Sequence, residues 1–191
     1  MFDAKDMRRQ SVISGVGRRD FLRLGAASMA TLLGAPALAT TISPHERLLG
    51  FQNTHTGESV TTAYWADGNY LDEGMDEINA LLRDHRTDEV YPIDADLLDL
   101  LFVLQTKTDS RQSYQVISGY RSPATNRALR GKSAGVAKRS YHMQGKAIDI
   151  RLPGCELKQL HRAALDLKSG GVGYYPGSGF IHVDVGPKRS W

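Results

Sequence analysis

The sequence predicts an α+β domain, a small antiparallel or mixed sheet with helices on one side. Two observations carry that prediction. Runs with alternating apolar residues and runs with helical three-and-four spacing are both present. They follow one another without the regular strand–helix–strand alternation that a parallel sheet requires.

The elements read in order from residue 48. Leu48–Asn53 and Ser59–Trp65 are strand-like, and the intervening THTGE carries the residues of a turn, so they predict a β-hairpin. His55 lies in that turn, where closing the hairpin is favoured over touching a cleft. Met75, Ile78, Leu81 and Leu82 mark one apolar stripe of a helix over 72–86. Acidic residues at its start and Arg83, His85 and Arg86 at its end would complement the helix dipole. A second helix begins after Asp94, a suitable N-cap. SYQVISGY is a short strand, and SPATNRALRG is a short capped helix closing on Gly131. KAIDIRL is a strand, ELKQLHRAALDLKSG a helix, and GGVGYYP and GFIHVDVG finish the chain as strands.

Residues 1–39 stand outside this domain, which is expected to occupy 40–191. They contain Arg18-Arg19, Phe21-Leu22 and a small, apolar run from Leu24 to Ala35, and Ala37-Leu38-Ala39 fits a cleavage site. The run is well short of the ~20 residues that cross a bilayer, which favours a removable signal over an anchor helix. The paired arginines read as an address for the twin-arginine export machinery, leaving a mature chain with no membrane span. Six of the 24 basic and three of the 21 acidic residues fall in this leader, so the remainder is electrically balanced. The pI near 9.0 therefore belongs to the leader, and no nucleic-acid partner is indicated. The lone Cys155 has no intramolecular disulfide partner and reads as a small, partly buried thiol.

The chemistry concentrates in two strands. On KAIDIRL, Ile148, Ile150 and Leu152 point one way while Ala147, Asp149 and Arg151 point the other. On GFIHVDVG, Ile181, Val183 and Val185 form an aliphatic face opposite Phe180, His182 and Asp184. If the two strands pair, their polar faces line one cleft. His142 precedes Asp149 by seven residues, a span of roughly 23 Å if extended. Both can reach one ion only if the chain folds back, which Gly145 permits. Two imidazoles and a carboxylate suit zinc and leave a fourth position open, as catalytic sites do. Taken singly, each residue is better read as a loop or packed side chain.

The blocks SGYRSPATN (Ser118–Asn126), SYHMQGKAID (Ser140–Asp149) and GFIHVDVG together resemble the three motifs of the zinc-dependent M15 peptidases. The pattern S-x-H-x-x-G-x-A-x-D is met at Ser140, His142, Gly145, Ala147 and Asp149. HTGE, YWADGNY and the closing GVGYYPGSGFIHVDVGPKRSW resemble, more narrowly, the exported murein endopeptidases of the MepK (YcbK-like) type. That resemblance covers nearly all of 45–191. It implies a fold shared with D-Ala-D-Ala carboxypeptidases and hedgehog-type domains. It also implies a periplasmic hydrolase cutting peptide cross-links of peptidoglycan, with diaminopimelate–diaminopimelate links the associated substrate. One Zn2+ would be held by His142, Asp149 and His182. Arg121 would face a substrate carboxylate or the developing oxyanion, against the plain alternative of a surface ion pair. Ser140 would hydrogen-bond at the cleft or merely cap a turn.

One departure matters. Members of the family commonly carry a Glu or His general base two or three residues before the last zinc histidine, where this chain has Gly179 and Phe180. Asp184 is the nearest replacement, either as the base or as a group orienting a ligand or Arg121. The rival readings are a non-catalytic zinc domain that binds peptidoglycan peptides, and a carboxypeptidase or dipeptidase trimming stem peptides.

Overall fold

The computed structural model describes residues 45–133 and 135–191. The leader expected over 1–39 lies outside the described residues. Strands β1 (Glu46–Asn53) and β2 (Ser59–Ala66) form the expected hairpin. Its turn is fixed by Asn53, whose side-chain oxygen accepts from the backbone N–H of His55 and Thr56 at 2.9 and 3.3 Å. His55 stays with this hairpin, its Nε2 3.1 Å from the Ile117 carbonyl and its ring stacked on His85 at 3.9 Å.

After β3 (Asn69–Tyr70) comes α1, which spans Asp72–Leu81 and so stops a turn before the basic residues expected to finish it. The cause is Asp84. Its carboxylate accepts from the N–H groups of Arg86 and Ser122 at 3.0 and 2.9 Å, pulling the chain out of the helix and into a turn closed by the Asp84–Glu89 bridge. The expected match of Arg83, His85 and Arg86 to the helix dipole is therefore not realised.

Helix α2 (Ala95–Lys107) starts where predicted, with the Asp94 carboxylate accepting from Asp96 N–H at 3.0 Å. Strand β4 (Tyr114–Ser118) leads to α3 (Pro123–Lys132), capped by Ser122 and opened by proline. A single 3₁₀ turn, Tyr141–Gln144, precedes β5 (Ala147–Arg151). Helix α4 (Leu157–Leu167) then leads to β6 (Gly171–Tyr175), β7 (Phe180–Asp184) and β8 (Arg189–Ser190).

The eight strands among the described residues join one mixed sheet, in the order β3-β2-β1-β4-β5-β7-β6-β8. Pairs β1/β4 and β6/β8 are parallel, and the rest are antiparallel. The sheet is larger than the small one predicted, because the two-residue strands β3 and β8 extend its edges and are too short to show a period. Helices α2 and α4 pack on each other as well as on the sheet. Beneath them Ile148, Ile150, Ile181 and Val183 are essentially inaccessible. Burying each such side chain contributes about 1.5–3 kcal/mol. This aliphatic face is what anchors β5 and β7, and it leaves their opposite face free for chemistry.

Candidate metal centre

Strands β5 and β7 are antiparallel neighbours, and their register sets Asp149 directly opposite His182. Ile148 faces Val183 and Ile150 faces Ile181 in the same register, so aliphatic pairs and polar pairs alternate across the two strands. His142 arrives from the 3₁₀ turn. That turn closes on Gly145 with φ +67°, and Lys146 N–H donates to the Tyr141 carbonyl at 3.0 Å, which reverses the chain between the two ligand candidates. Gly145 is required twice over, since a Cβ there would also lie 2.1 Å from the Pro92 carbonyl oxygen.

The three side chains meet. His142 Nε2 is 3.2 Å from His182 Nδ1 and 3.3 Å from Asp149 Oδ1, and His182 Nδ1 is 2.9 Å from that same oxygen. All three residues are buried. The distal nitrogen of each imidazole has an acceptor: the Gly119 carbonyl at 2.8 Å from His142 Nδ1, and Asp184 Oδ2 at 2.9 Å from His182 Nε2. These acceptors place the ring protons at His142 Nδ1 and His182 Nε2. With the protons there, three lone-pair atoms face one point, an arrangement that suits a cation. A tetrahedral ion with bonds of about 2.0–2.1 Å would set its ligand atoms about 3.3 Å apart, close to the triangle found here. Among the described residues this is the one group of His, Cys, Asp and Glu side chains so arranged.

Burial by itself would raise the Asp149 carboxyl, but the adjoining imidazoles of His142 and His182 outweigh it and hold the group below the ordinary carboxylate range. Burial would likewise lower His182, and the carboxylates of Asp149 and Asp184 beside it more than reverse that.

The centre forms the floor of a cleft of about 520 Å³. Arg121 lines it, with Nη2 3.2 Å from Ser118 Oγ and 3.7 Å from Asp149 Oδ2, while its buried Nε has no partner among the described residues. Burial pushes this guanidinium down from its usual value, with Asp149 opposing the shift. With its side chain only 11% exposed, Arg121 is no surface ion pair. Ser140 also lines the cleft, and its side chain makes no capping bond to the 3₁₀ turn.

Asp184 is placed differently from the reading of it as a base. It is wholly inaccessible, and its oxygens are occupied by His182 Nε2, the N–H groups of Gly171 (3.1 Å) and Gly186 (2.8 Å), and the Arg189 guanidinium at 2.5 and 3.1 Å. Burial would raise this carboxyl, but those donors hold it below the ordinary range. A carboxylate so enclosed has no free lone pair for cleft water. It is positioned to orient His182. Asp149 is the one carboxylate that lines the cleft among the described residues.

Among the cleft residues that the sequence does not single out are Tyr175, Arg189 and Trp191. Arg189 and Trp191 reach the site through the pairing of β8 with β6, and the Trp191 ring lies 5.2 Å from the His182 ring. It fits because residue 173 is glycine; a Cβ there would lie 2.6 Å from the indole. The aromatic pair in GVGYYP and the basic-aromatic ending KRSW were the only local hints.

Comparison with known proteins bears on this geometry. Residues 41–191 match the M15_2 peptidase family model, described as peptidoglycan L,D-endopeptidase MepK. The peptidoglycan L,D-endopeptidase MepK of Escherichia coli strain K12 is 43% identical over 175 residues, covering 91% of this chain and 96% of its own. The probable peptidoglycan L,D-endopeptidase MepK of Haemophilus influenzae is 40% identical over 176 residues, covering 91% and 95%. The chain therefore belongs to the MepK family of the M15 peptidases.

Proposed function

We propose that the chain is a zinc-dependent murein endopeptidase, hydrolysing the peptide cross-links of peptidoglycan and in particular those between two diaminopimelate residues. The observation that carries this reading is the buried triangle of His142 Nε2, Asp149 Oδ1 and His182 Nδ1 on the floor of a cleft, in a chain of the MepK family. Two nitrogens and one oxygen suit zinc, and three protein ligands leave room for substrate.

Zinc held there would supply a Lewis acid for the scissile carbonyl and acidify the attacking water. The chain's own groups do the rest. His142 and His182 are fixed in the required tautomers by Gly119 and Asp184. Asp184 orients, and Arg189 balances its charge. Arg121 presents a rigid fork of donors to a substrate carboxylate or to the developing oxyanion. Ser140, whose side chain makes no bond to the turn it precedes, offers a hydroxyl to the substrate backbone. The overall architecture is read as the zinc-peptidase fold of the D-Ala-D-Ala carboxypeptidases and hedgehog-type domains. Export through the twin-arginine machinery to the periplasm rests on residues 1–39, and no helix among the described residues is long and apolar enough to cross a membrane.

One observation favours a second reading. Among the described residues, the cleft holds no Glu, Asp or His beyond the three candidate ligands. A non-catalytic zinc domain that binds peptidoglycan peptides would need none. Turnover separates the two, and mass spectrometry of the released fragments separates an endopeptidase from a stem-peptide trimmer. The endopeptidase reading expects zinc-loaded chain to split a cross-linked muropeptide dimer into its two halves, and His182→Ala to lose both tight zinc binding and cleavage. His182→Ala protein that keeps one tight zinc and full activity would sink the ligand assignment.

A further inference from the structure

Among the described residues the cleft has no carboxylate or imidazole beyond the three candidate ligands, which leaves hydroxyls among its remaining polar groups. Tyr175, at the end of β6, differs from the others in how firmly it is held. Its ring stacks on Phe180, its partner in the β6/β7 register, at 4.7 Å and 21°. Its oxygen accepts from Trp191 Nε1 at 2.7 Å. A phenolic O–H has one proton to give, and with the indole N–H on one side the proton must point to the other. Tyr175 lines the cleft, and among the described residues no acceptor takes that proton.

The sheet also fixes where this donor lies. Gly173 is opposite His182 and Tyr175 is opposite Phe180, so Tyr175 is one two-residue step along the same face, about 7 Å from the Gly173–His182 pair. Trp191 bridges the interval, its ring beside His182 and its N–H on Tyr175. Tyr175 and Arg121 both line the cleft. Tyr141, the other cleft tyrosine, lacks this arrangement; its ring is spent against the Arg189 guanidinium at 5.2 Å.

We infer that Tyr175 is a further catalytic residue, whose hydroxyl donates a hydrogen bond to the oxyanion that forms when the scissile carbonyl becomes tetrahedral. The inference rests on the endopeptidase reading above. No proton is transferred; the phenol keeps its hydrogen and stabilises the new negative charge as a fixed dipole. Trp191 is then a positioning residue that sets the direction of that O–H. Arg121 is left to hold a substrate carboxylate, consistent with a cross-linked peptide that carries free carboxylates on both sides of the scissile bond.

The test compares zinc-loaded full-length chain with Tyr175→Phe and Trp191→Phe, using a muropeptide dimer joined through two diaminopimelates. Tyr175→Phe keeps the stack and loses only the hydroxyl. It should lower kcat about 10²-fold, the loss typical of one removed oxyanion donor, with KM within about twofold and zinc content unchanged. A phosphinic pseudopeptide that mimics the tetrahedral species should bind Tyr175→Phe more weakly by a similar factor. Trp191→Phe should cost less, about tenfold or under, because the donor remains. Wild-type turnover matched by Tyr175→Phe would overturn the inference alone. So would a Trp191→Phe loss as large as that of Tyr175→Phe, which would assign the effect to the shape of the wall. Zinc-loaded wild type that cleaves nothing overturns the endopeptidase reading, and this inference with it.

Discussion

Asp184, itself closed to solvent, holds His182 Nε2 at 2.9 Å on one side and the Arg189 guanidinium on the other. On this geometry we propose that the carboxylate serves the histidine and not the substrate, which can be tested against the alternative. Asp184→Asn should weaken zinc binding about 10–100-fold, as loss of such an outer partner does, while activity per bound zinc stays within a few fold. A variant with normal zinc affinity and activity reduced more than a hundredfold would restore Asp184 as the base.

Arg189 is the counterpart. Asp184→Asn removes a charge, whereas Arg189→Gln leaves the buried Asp184 carboxylate without its cation. Because Arg189 is itself 39% exposed, the expected loss is about 1–3 kcal/mol of stability, measured by urea unfolding of the metal-free chain. Arg189→Lys should recover part of it. Equal stability of Arg189→Gln and wild type would show that the two backbone N–H groups and His182 suffice.

The turn that delivers His142 makes a third prediction. Gly145→Ala must accept φ +67° and also displace the Pro92 carbonyl. A destabilisation of at least about 2 kcal/mol is expected, with zinc affinity falling in parallel because His142 and Asp149 no longer converge. Unchanged zinc affinity in a folded Gly145→Ala chain would show that the bend is not what joins the ligands.

Asp84 gives a pH dependence away from the metal centre. Burial would raise this carboxyl, but hydrogen bonds from Thr125, Arg86 and Ser122 hold it at about 2, below the 3.8 of a free aspartate. A folded value below the unfolded one means that the stabilisation is complete above about pH 4 and disappears as pH falls through about 2. Its size is about 2 kcal/mol. The stability difference between metal-free wild type and Asp84→Asn should therefore be constant near neutrality and shrink towards zero between about pH 4 and pH 2. A difference that does not change across that window would remove Asp84 as the source.

Much of this architecture is legible in the sequence because its causes are local. The Asp94 cap, the Ser122-Pro123 start of α3 and the alternation of β5 and β7 each follow from a few adjacent residues. His142, Gly145 and Asp149 are legible for the same reason. The early end of α1 is not, because it depends on Asp84 reaching Ser122, 38 residues further on. Asp184 shows the limit most clearly. Its spacing from His182 put both on one face of β7, but its role depends on Arg189, which the parallel pairing of β8 with β6 brings in. Tyr175 and Trp191 depend on the same pairing and left no periodic trace.

The central claim is that His142, Asp149 and His182 hold one catalytic zinc. It is tested most directly by adding zinc stepwise to chelated protein and following cleavage of a diaminopimelate-linked muropeptide dimer. The account predicts no cleavage at zero zinc, a linear rise, and saturation at one zinc per chain. Full cleavage by rigorously chelated protein, or one tightly bound zinc with no cleavage, would contradict it.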